Sequence, residues 1–309
     1  MKLAFVFPGQ GSQAVGMLKG YAGLAEVDAV RNEAGGVLGL DFVKLLDDGP
    51  AEELNQTVNT QPAMVTAGYL AYRAWIAAGG TKPAMVAGHS LGEYTALVAA
   101  GSLAFRDALP LVRFRAQAMQ DAVPVGQGAM AAILGLEDEL VGAACAEAHG
   151  IVQAVNFNAP GQVVIAGEKE AVARAIEACR ARGAKRAMPL PVSAPFHSSL
   201  MKPAGEKLQG RLQKTVLQAP VVPLVNNVDV KIETRPDEIR HALVRQAYSP
   251  VRWVETIRRM VADGATHIVE CGPGKVLSAL TRRIAPDVQS LALADRATLE
   301  QALQATRGG

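Results

Sequence analysis

The apolar residues of this chain follow two patterns, which alternate along the sequence. Short continuous apolar runs at 3–7 and 84–87 are typical of buried strands, and the segment 267–270, with Ile and Val at its centre, also predicts a strand. Longer segments, such as 60–78 and 105–122, carry apolar residues at the three- to four-residue spacing of a helix. Because strands and helices alternate along most of the chain, the pattern predicts an α/β fold with a mainly parallel sheet and helices on both faces.

The segment from 125 to 191 departs from that alternation. Its expected order is strand, helix, strand, strand, helix, strand, which is the ferredoxin-like βαββαβ arrangement. Prolines and glycines cluster at both of its ends. We therefore expect a small ferredoxin-like domain at 125–191, inserted into a core that is formed by residues 1–124 and 192–309. The six elements are expected at 129–134, 137–149, 151–156, 162–166, 169–182 and 184–190.

The sequence Gly88-His89-Ser90-Leu91-Gly92 lies between a predicted strand and a predicted helix. Strand, Gly-x-Ser-x-Gly and helix make up the nucleophile elbow of hydrolase-like α/β folds, in which a sharp turn exposes the serine. Side chains at positions 88 and 92 would collide in such a turn, and glycine removes them. Ser90 would then lie at a helix N-terminus, where the helix dipole favours a developing anion. An ordinary Gly/Ser turn is the alternative, and the flanking pattern favours the elbow.

A glycine-rich loop, Pro8-Gly9-Gln10-Gly11-Ser12-Gln13, follows the first predicted strand. Its Gly-x-Gly-x-x-Ala spacing formally fits the dinucleotide-binding fingerprint, but that motif needs a second strand within about thirty residues. The segment 21–46 is instead helix-like, with a break expected at Gly35-Gly36. We favour a place for the loop beside the elbow, where its backbone would complete an oxyanion hole with the amide of Leu91. Gln10 is the candidate for the second amide.

Composition limits the class of protein. Of 309 residues, 50% are hydrophobic and 19% are charged, which is enough apolar material for a sizeable core and argues against disorder. A formal net charge of +2 gives no reason to expect nucleic acid as a partner. No apolar run is long enough for a signal peptide or a membrane span. Three cysteines without paired or metal-ligand spacing, Cys145, Cys179 and Cys271, favour a reduced interior. We expect a soluble cytoplasmic protein without a metal site.

Two further side chains are candidates for chemistry beside the serine. His197 follows a proline-punctuated loop at the start of a predicted helix, where it can project into a cleft. A capping or surface histidine is an equally good interpretation of that position. Arg115 lies on the predicted helix 105–122, and an arginine there is usually a solvated surface charge. Arg115 matters only if it faces Ser90.

Five short motifs occur in order along the chain. They are Phe7-Pro8-Gly9-Gln10-Gly11-Ser12-Gln13, Gly88-His89-Ser90-Leu91-Gly92-Glu93-Tyr94, Asn156-Phe157-Asn158-Ala159-Pro160-Gly161-Gln162, Phe196-His197 and Glu270-Cys271-Gly272-Pro273-Gly274-Lys275. Together they resemble the malonyl-CoA:acyl carrier protein transacylases, which belong with the acyltransferase domains of fatty acid and polyketide synthases. The resemblance spans essentially the whole chain, and it implies the same fold as the pattern: a hydrolase-like core with a ferredoxin-like insertion.

The resemblance also implies roles for individual residues. Ser90 would be the nucleophile and His197 its general base. Arg115 would grip the free carboxylate of a malonyl group in a bidentate fork. The remaining implied positions are Gln10 and Leu91 as oxyanion-hole amides, Gln246 as the residue whose backbone carbonyl orients the histidine, and His89, Met119, Asn158 and Val276 as pocket lining.

The implied reaction transfers the malonyl group of malonyl-CoA to the phosphopantetheine thiol of acyl carrier protein, through a malonyl-serine intermediate, and supplies fatty acid biosynthesis. No cofactor is expected, because the CoA thioester is the substrate and the partner carries the phosphopantetheine. The expected partners are malonyl-CoA and acyl carrier protein, with neither nucleic acid nor membrane, and the family suggests a monomer.

Other functions use the same residues. A serine esterase or thioesterase would share the elbow, and a third, acidic member of a triad would then be sought among Asp107, Asp121 and Glu137. We favour a Ser-His pair with a carbonyl as the third member, as the resemblance implies. A non-catalytic subunit that binds carrier protein, and a transacylase subunit that serves malonate decarboxylation, remain alternatives at this stage.

Overall fold

The core of the fold is a five-stranded sheet in which every neighbouring pair of strands is parallel. The computed structural model describes residues 1–192 and 194–307. The strands of this sheet are β1 (Leu3–Phe7), β2 (Met85–Gly88), β7 (Leu224–Val225), β8 (His267–Cys271) and β9 (Gln289–Leu293). Their order across the sheet is β7-β2-β1-β8-β9. The predicted α/β fold with a mainly parallel sheet is therefore confirmed.

The central strand β1 shows why its sequence is apolar throughout. All five residues are buried, since both faces of a parallel sheet are covered by helices. Leu3, Phe5 and Phe7 belong to the larger apolar core on one face. Ala4 and Val6 belong to the second core on the other face. Successive side chains of β1 point into two different apolar cores. Because both sets are apolar, the two-residue period of the strand does not appear as an alternation of hydrophobic and polar residues.

Helices cover both faces of the parallel sheet. Among the described residues, none of them is long and apolar enough to cross a membrane. They are α1 (Ala25–Leu38), α2 (Leu40–Asp48), α3 (Ala51–Leu54), α4 (Thr57–Ala77), α5 (Gly92–Ala99), α6 (Phe105–Asp121), α7 (Asp138–Glu147), α8 (Lys169–Ala181), α9 (Lys202–Gln213), α10 (Pro236–Gln246), α11 (Trp253–Ala262), α12 (Val276–Ile284) and α13 (Arg296–Thr306).

Two of these helices, α7 and α8, pack on a second, antiparallel sheet instead. Its strands are β3 (Gly128–Leu134), β4 (Val152–Ala159), β5 (Gln162–Glu168) and β6 (Arg186–Pro189), in the order β4-β5-β3-β6. The chain order β3-α7-β4-β5-α8-β6 is the expected βαββαβ order. One face of the sheet packs against α7 and α8, and the other carries a small apolar cluster that includes Phe196. The division of the chain at 124/125 and 191/192 stays a prediction.

Some expected element boundaries are wrong. The break expected at Gly35-Gly36 lies at Gly39, whose φ of 91° ends α1, while both earlier glycines remain helical. The sequence also predicts a strand at 221–226, and the structure shortens it to Leu224–Val225. Pro220 and Pro223 lack the N–H that a ladder needs, and Val221 between them is 83% exposed.

The turn between β2 and α5 depends on close backbone approach. A Cβ added at Gly92 would lie 2.0 Å from the carbonyl oxygen of Phe7, and one at Gly88 would lie 1.9 Å from the carbonyl carbon of Gly92. Real Cβ atoms do not approach backbone so closely, and backbone cannot rotate away as a side chain can. These two glycines let β1, β2 and α5 meet at the point where Ser90 lies.

We predict that Gly92→Ala destabilises the protein by about 3 kcal/mol or more, because the added methyl overlaps β1 backbone that cannot move. Gly36→Ala is the matched control, since this helical glycine has open space around a new Cβ. There alanine should stabilise the protein by about 1 kcal/mol through its higher helix propensity. Urea unfolding of both variants measures the difference. A Gly92→Ala protein as stable as wild type would contradict the close approach.

Candidate active site

Ser90 lies in the sharp turn between β2 and α5, at the carboxyl edge of the parallel sheet. Its φ of 51° is a left-handed conformation, which costs a non-glycine residue about 1–3 kcal/mol. Asn227 holds the turn from both sides. Its Oδ1 accepts a hydrogen bond from the Ser90 amide at 2.7 Å, and its Nδ2 donates to the Gly88 carbonyl at 2.7 Å. The predicted elbow is thus present, and a side chain distant in sequence holds it.

His197 contacts the serine directly. Its Nε2 lies 2.7 Å from Ser90 Oγ, and its Nδ1 lies 2.8 Å from the backbone carbonyl oxygen of Gln246. Since a carbonyl oxygen only accepts, Nδ1 carries the proton and Nε2 is free to accept one from the serine. The third member of this arrangement is the Gln246 carbonyl rather than an acidic side chain. His197, like Ser90, has a positive φ, here 65°.

The surroundings of His197 keep its imidazole neutral. Burial, which is the main cause, and the positive charge of Arg115 together lower the pKa of His197 to about 3. The hydrogen bond from Nδ1 to Gln246 acts in the opposite direction. A neutral imidazole with a free Nε2 is the form that can take a proton from a serine hydroxyl.

Arg115 is buried and faces Ser90, so it is not the solvated surface charge that its position on a helix suggested. It is 2% exposed, although it is an arginine on the long helix α6. Its Nη2 donates to Ser90 Oγ at 3.2 Å and to Gln246 Oε1 at 3.0 Å, and its Nη1 donates to Gln61 Oε1 at 2.9 Å. The guanidinium also lies over the ring of Tyr94, 5.4 Å from its centroid. Burial lowers the pKa of Arg115 from its usual value.

A cavity of about 640 Å³ opens beside these groups, between the parallel sheet and the antiparallel one. Gln10 and Leu91, which are expected to supply the oxyanion amides, line this cavity together with Ser90. Leu91 is the N-cap residue of α5, where backbone N–H groups are free of helical partners. A serine, a neutral histidine and the two residues expected to supply oxyanion amides therefore border one space.

The remaining pocket positions implied by the resemblance also border the cavity. The ring of His89 is fixed by Asn158, whose Oδ1 lies 2.8 Å from His89 Nε2, and burial lowers the pKa of His89. Met119 is buried in the wall, whereas Val276 is 49% exposed at the rim. Within residues 1–192 and 194–307, no cluster of three His, Cys, Asp or Glu side chains could hold a metal ion.

Three residues of the site carry no role in the sequence interpretation. Asn227 holds the elbow, Gln61 contacts Arg115, and Glu93 accepts hydrogen bonds from Gln246 and Asn227. A signal exists for one of them: Glu93 is a charged residue in the otherwise largely apolar helix α5, where burial demands a partner. Gln61 follows the polar residues Asn59 and Thr60 and does not stand out in this way. Nothing local distinguishes Asn227 from any asparagine that follows a strand.

Fold and family together define an acyltransferase. Residues 4–302 match the family described as "Acyl transferase domain". The chain belongs to that family.

Particular relatives cover almost the whole chain. It is 56% identical over 306 residues to the malonyl CoA-acyl carrier protein transacylase of Escherichia coli O157:H7, which covers 98% of this chain and 99% of the relative. A solved structure of acyl-carrier-protein S-malonyltransferase from Burkholderia pseudomallei 1710b is 60% identical, with a TM-score of 0.97 over 98% of this chain and 100% of that one. A malonyl-transacylase solved in complex with a type II PKS acyl-carrier protein is 51% identical, with a TM-score of 0.97 over 99% and 100% of the two chains.

We predict that the reactivity of Ser90 is almost independent of pH between 7.5 and 5, because His197 stays neutral over that range. An imidazole with the ordinary pKa of 6.5 would lose about 30-fold of its neutral form over the same interval. The measurement is the rate at which a fluorophosphonate probe labels the protein at each pH, with circular dichroism to show that the fold is intact. A fall of about tenfold or more in an intact protein would contradict the predicted independence of pH.

Proposed function

We propose that this protein transfers the malonyl group of malonyl-CoA to the phosphopantetheine thiol of an acyl carrier protein, in two steps through a malonyl ester of Ser90. The names of its full-length relatives support the substrate and the acceptor. The site supports the chemistry, since it contains a serine, a neutral histidine and a buried arginine within one cavity. This activity supplies fatty acid biosynthesis with its malonyl units.

The observation that carries the proposal is the burial of Arg115 against the serine. Its three hydrogen-bond partners, Gln61, Ser90 and Gln246, are all uncharged. A further donor, its Nε, is buried without any partner among the described residues. Burying a guanidinium is costly unless a charged or well-bonded partner compensates. A substrate that brings a carboxylate within reach of Ser90 supplies that partner, and malonyl is such an acyl group.

The first step forms the malonyl ester. Ser90 Oγ attacks the thioester carbonyl carbon while its proton passes to His197 Nε2. The amides of Gln10 and Leu91 donate to the oxygen that becomes negative, and each such donor contributes on the order of 3 kcal/mol to the transition state. The carbon–sulfur bond then breaks, and the CoA sulfur leaves with the proton that His197 holds.

The second step reverses the roles on a new thiol. The phosphopantetheine thiol of the carrier protein gives its proton to His197 and attacks the serine ester. The carbon–oxygen bond breaks, and Ser90 recovers the proton from His197. Throughout, the Gln246 carbonyl holds Nδ1–H and so keeps the imidazole in the tautomer that both steps need. As proposed, neither step uses a cofactor beyond the carriers of the acyl group.

Arg115 also separates this function from a simple esterase or thioesterase. An enzyme that cleaves uncharged acyl groups has no need of a buried cation 3.2 Å from its nucleophile. The intact Ser90–His197 contact argues against a non-catalytic binding subunit. We also propose that the protein is a monomer and that it lies in the cytoplasm, as the family resemblance suggests.

We predict that Arg115→Ala reverses the acyl preference. Loading of Ser90 from malonyl-CoA should fall by about 100-fold or more, because the carboxylate would lose a bidentate charged partner in a dry site. Loading from acetyl-CoA should rise, because the uncharged acyl group no longer has to lie against a cation. Both rates are measured in single-turnover loading experiments that are monitored by intact-protein mass spectrometry. Arg115→Lys is the control that keeps the positive charge but removes the bidentate guanidinium. We expect its rate of malonyl loading to lie between those of the wild-type protein and Arg115→Ala. Unchanged malonyl preference in Arg115→Ala would remove the role assigned to this residue.

A further inference from the structure

Glu93 is a buried carboxylate that the two proposed steps do not use. It lies in the first turn of α5, three residues after the nucleophile, and is 1% exposed. A single oxygen, Oε2, accepts hydrogen bonds from Gln246 Nε2 at 2.9 Å and from the backbone N–H of Asn227 at 3.0 Å. A carboxylate in such a place is costly, and burial indeed raises the pKa of Glu93 to about 7.

The two partners of Glu93 each hold a different part of the site. The Asn227 side chain brackets the elbow, through the Ser90 amide and the Gly88 carbonyl. The Gln246 backbone carbonyl accepts from His197 Nδ1, while its side-chain Nε2 also donates to the Ser90 carbonyl at 3.0 Å. Glu93 therefore touches neither the serine hydroxyl nor the histidine, yet it joins the residues that hold both.

The most consequential of these contacts is the one with the Gln246 amide. A primary amide has a donor end and an acceptor end, and only its partners decide which way it points. Arg115 Nη2, which only donates, requires the Oε1 end of Gln246. The Glu93 oxygen requires the Nε2 end. With both partners present, a single orientation satisfies every atom. Without Glu93, the NH₂ end keeps only the Ser90 carbonyl as acceptor, so the amide loses one of the two partners that oppose its rotation toward the guanidinium.

We propose that Glu93 is a positioning residue: by accepting from Gln246 Nε2, it fixes the orientation in which the Gln246 side chain holds Arg115 beside Ser90. The effect depends on an acceptor oxygen, not on a charge, since a protonated carboxyl group keeps one carbonyl oxygen. This inference rests on the proposed function, because it assigns Glu93 to the preference for an acyl group that ends in a carboxylate.

The test compares loading of Ser90 from malonyl-CoA and from acetyl-CoA as a ratio of the two kcat/KM values. Glu93→Ala should lower that ratio by at least about tenfold, since Arg115 loses its fixed position and only the malonyl group depends on it. Glu93→Gln keeps an acceptor oxygen and should stay within about threefold of the wild-type ratio. Asp47→Ala is the matched control: Asp47 is a buried carboxylate on α2 that pairs with Arg31 on α1, outside the site, and its loss should leave the ratio unchanged.

A second variant covers the case in which Glu93→Ala does not fold. Gln246→Met removes the side-chain amide and leaves the backbone carbonyl that accepts from His197. It should lower the malonyl-to-acetyl ratio as far as Glu93→Ala does, and combining the two changes should add little, because both break one linkage. A folded Glu93→Ala or Gln246→Met protein with the wild-type ratio would overturn the proposal. A Glu93→Gln ratio as low as that of Glu93→Ala would do the same.

The wild-type measurement separates this inference from the function on which it rests. If the wild-type protein loads no malonyl group, or shows no preference for it, the proposed function itself fails. If the wild-type preference is present and only the variants fail to change it, the function stands and the role of Glu93 falls.

Discussion

The burial of one positive charge constrains much of this structure. Arg115 has almost no exposed surface, and a guanidinium in such a place needs every available acceptor. Gln61 on α4, Gln246 on α10 and Ser90 at the elbow supply these acceptors, while the ring of Tyr94 on α5 faces the cation. Helices that are far apart in sequence thus meet around one side chain. We propose that a substrate carboxylate adds to this compensation and that the selectivity of the proposed reaction follows from it.

A second constraint is the strained backbone at the two residues proposed to react. Ser90 and His197 both have a positive φ, which side chains other than glycine rarely adopt. Such conformations persist only where the surroundings determine them from several directions. For Ser90 these surroundings are the two close-packed glycines, the Asn227 bracket and the first turn of α5. The same contacts that maintain the strain also aim Oγ at His197 Nε2, so geometry and reactivity have a common origin.

Features of this site could be predicted from the sequence where their residues are contiguous, and could not where the residues in contact are far apart in the chain. The elbow could be predicted, because strand, glycine spacing and helix are contiguous, and the structure has the turn at the expected place. His197 remained ambiguous by pattern alone, since a surface histidine would look the same. Contacts such as Ser90 to Asn227, 137 residues apart, and Gln246 to Glu93, 153 residues apart, leave no periodic trace. The break at Gly39 was missed for a related reason: whether a glycine bends a helix or continues it depends on what packs there.

The account as a whole depends on a malonyl group that passes through Ser90. The most direct test is intact-protein mass spectrometry of the wild-type protein and of Ser90→Ala after mixing with malonyl-CoA, followed by addition of holo acyl carrier protein. The account predicts a malonyl adduct on the wild-type protein only, which disappears as the carrier protein gains the same mass. Release of CoA and free malonate without transfer to the carrier would contradict it and indicate a hydrolase. An adduct that persists in Ser90→Ala would show that the nucleophile lies elsewhere.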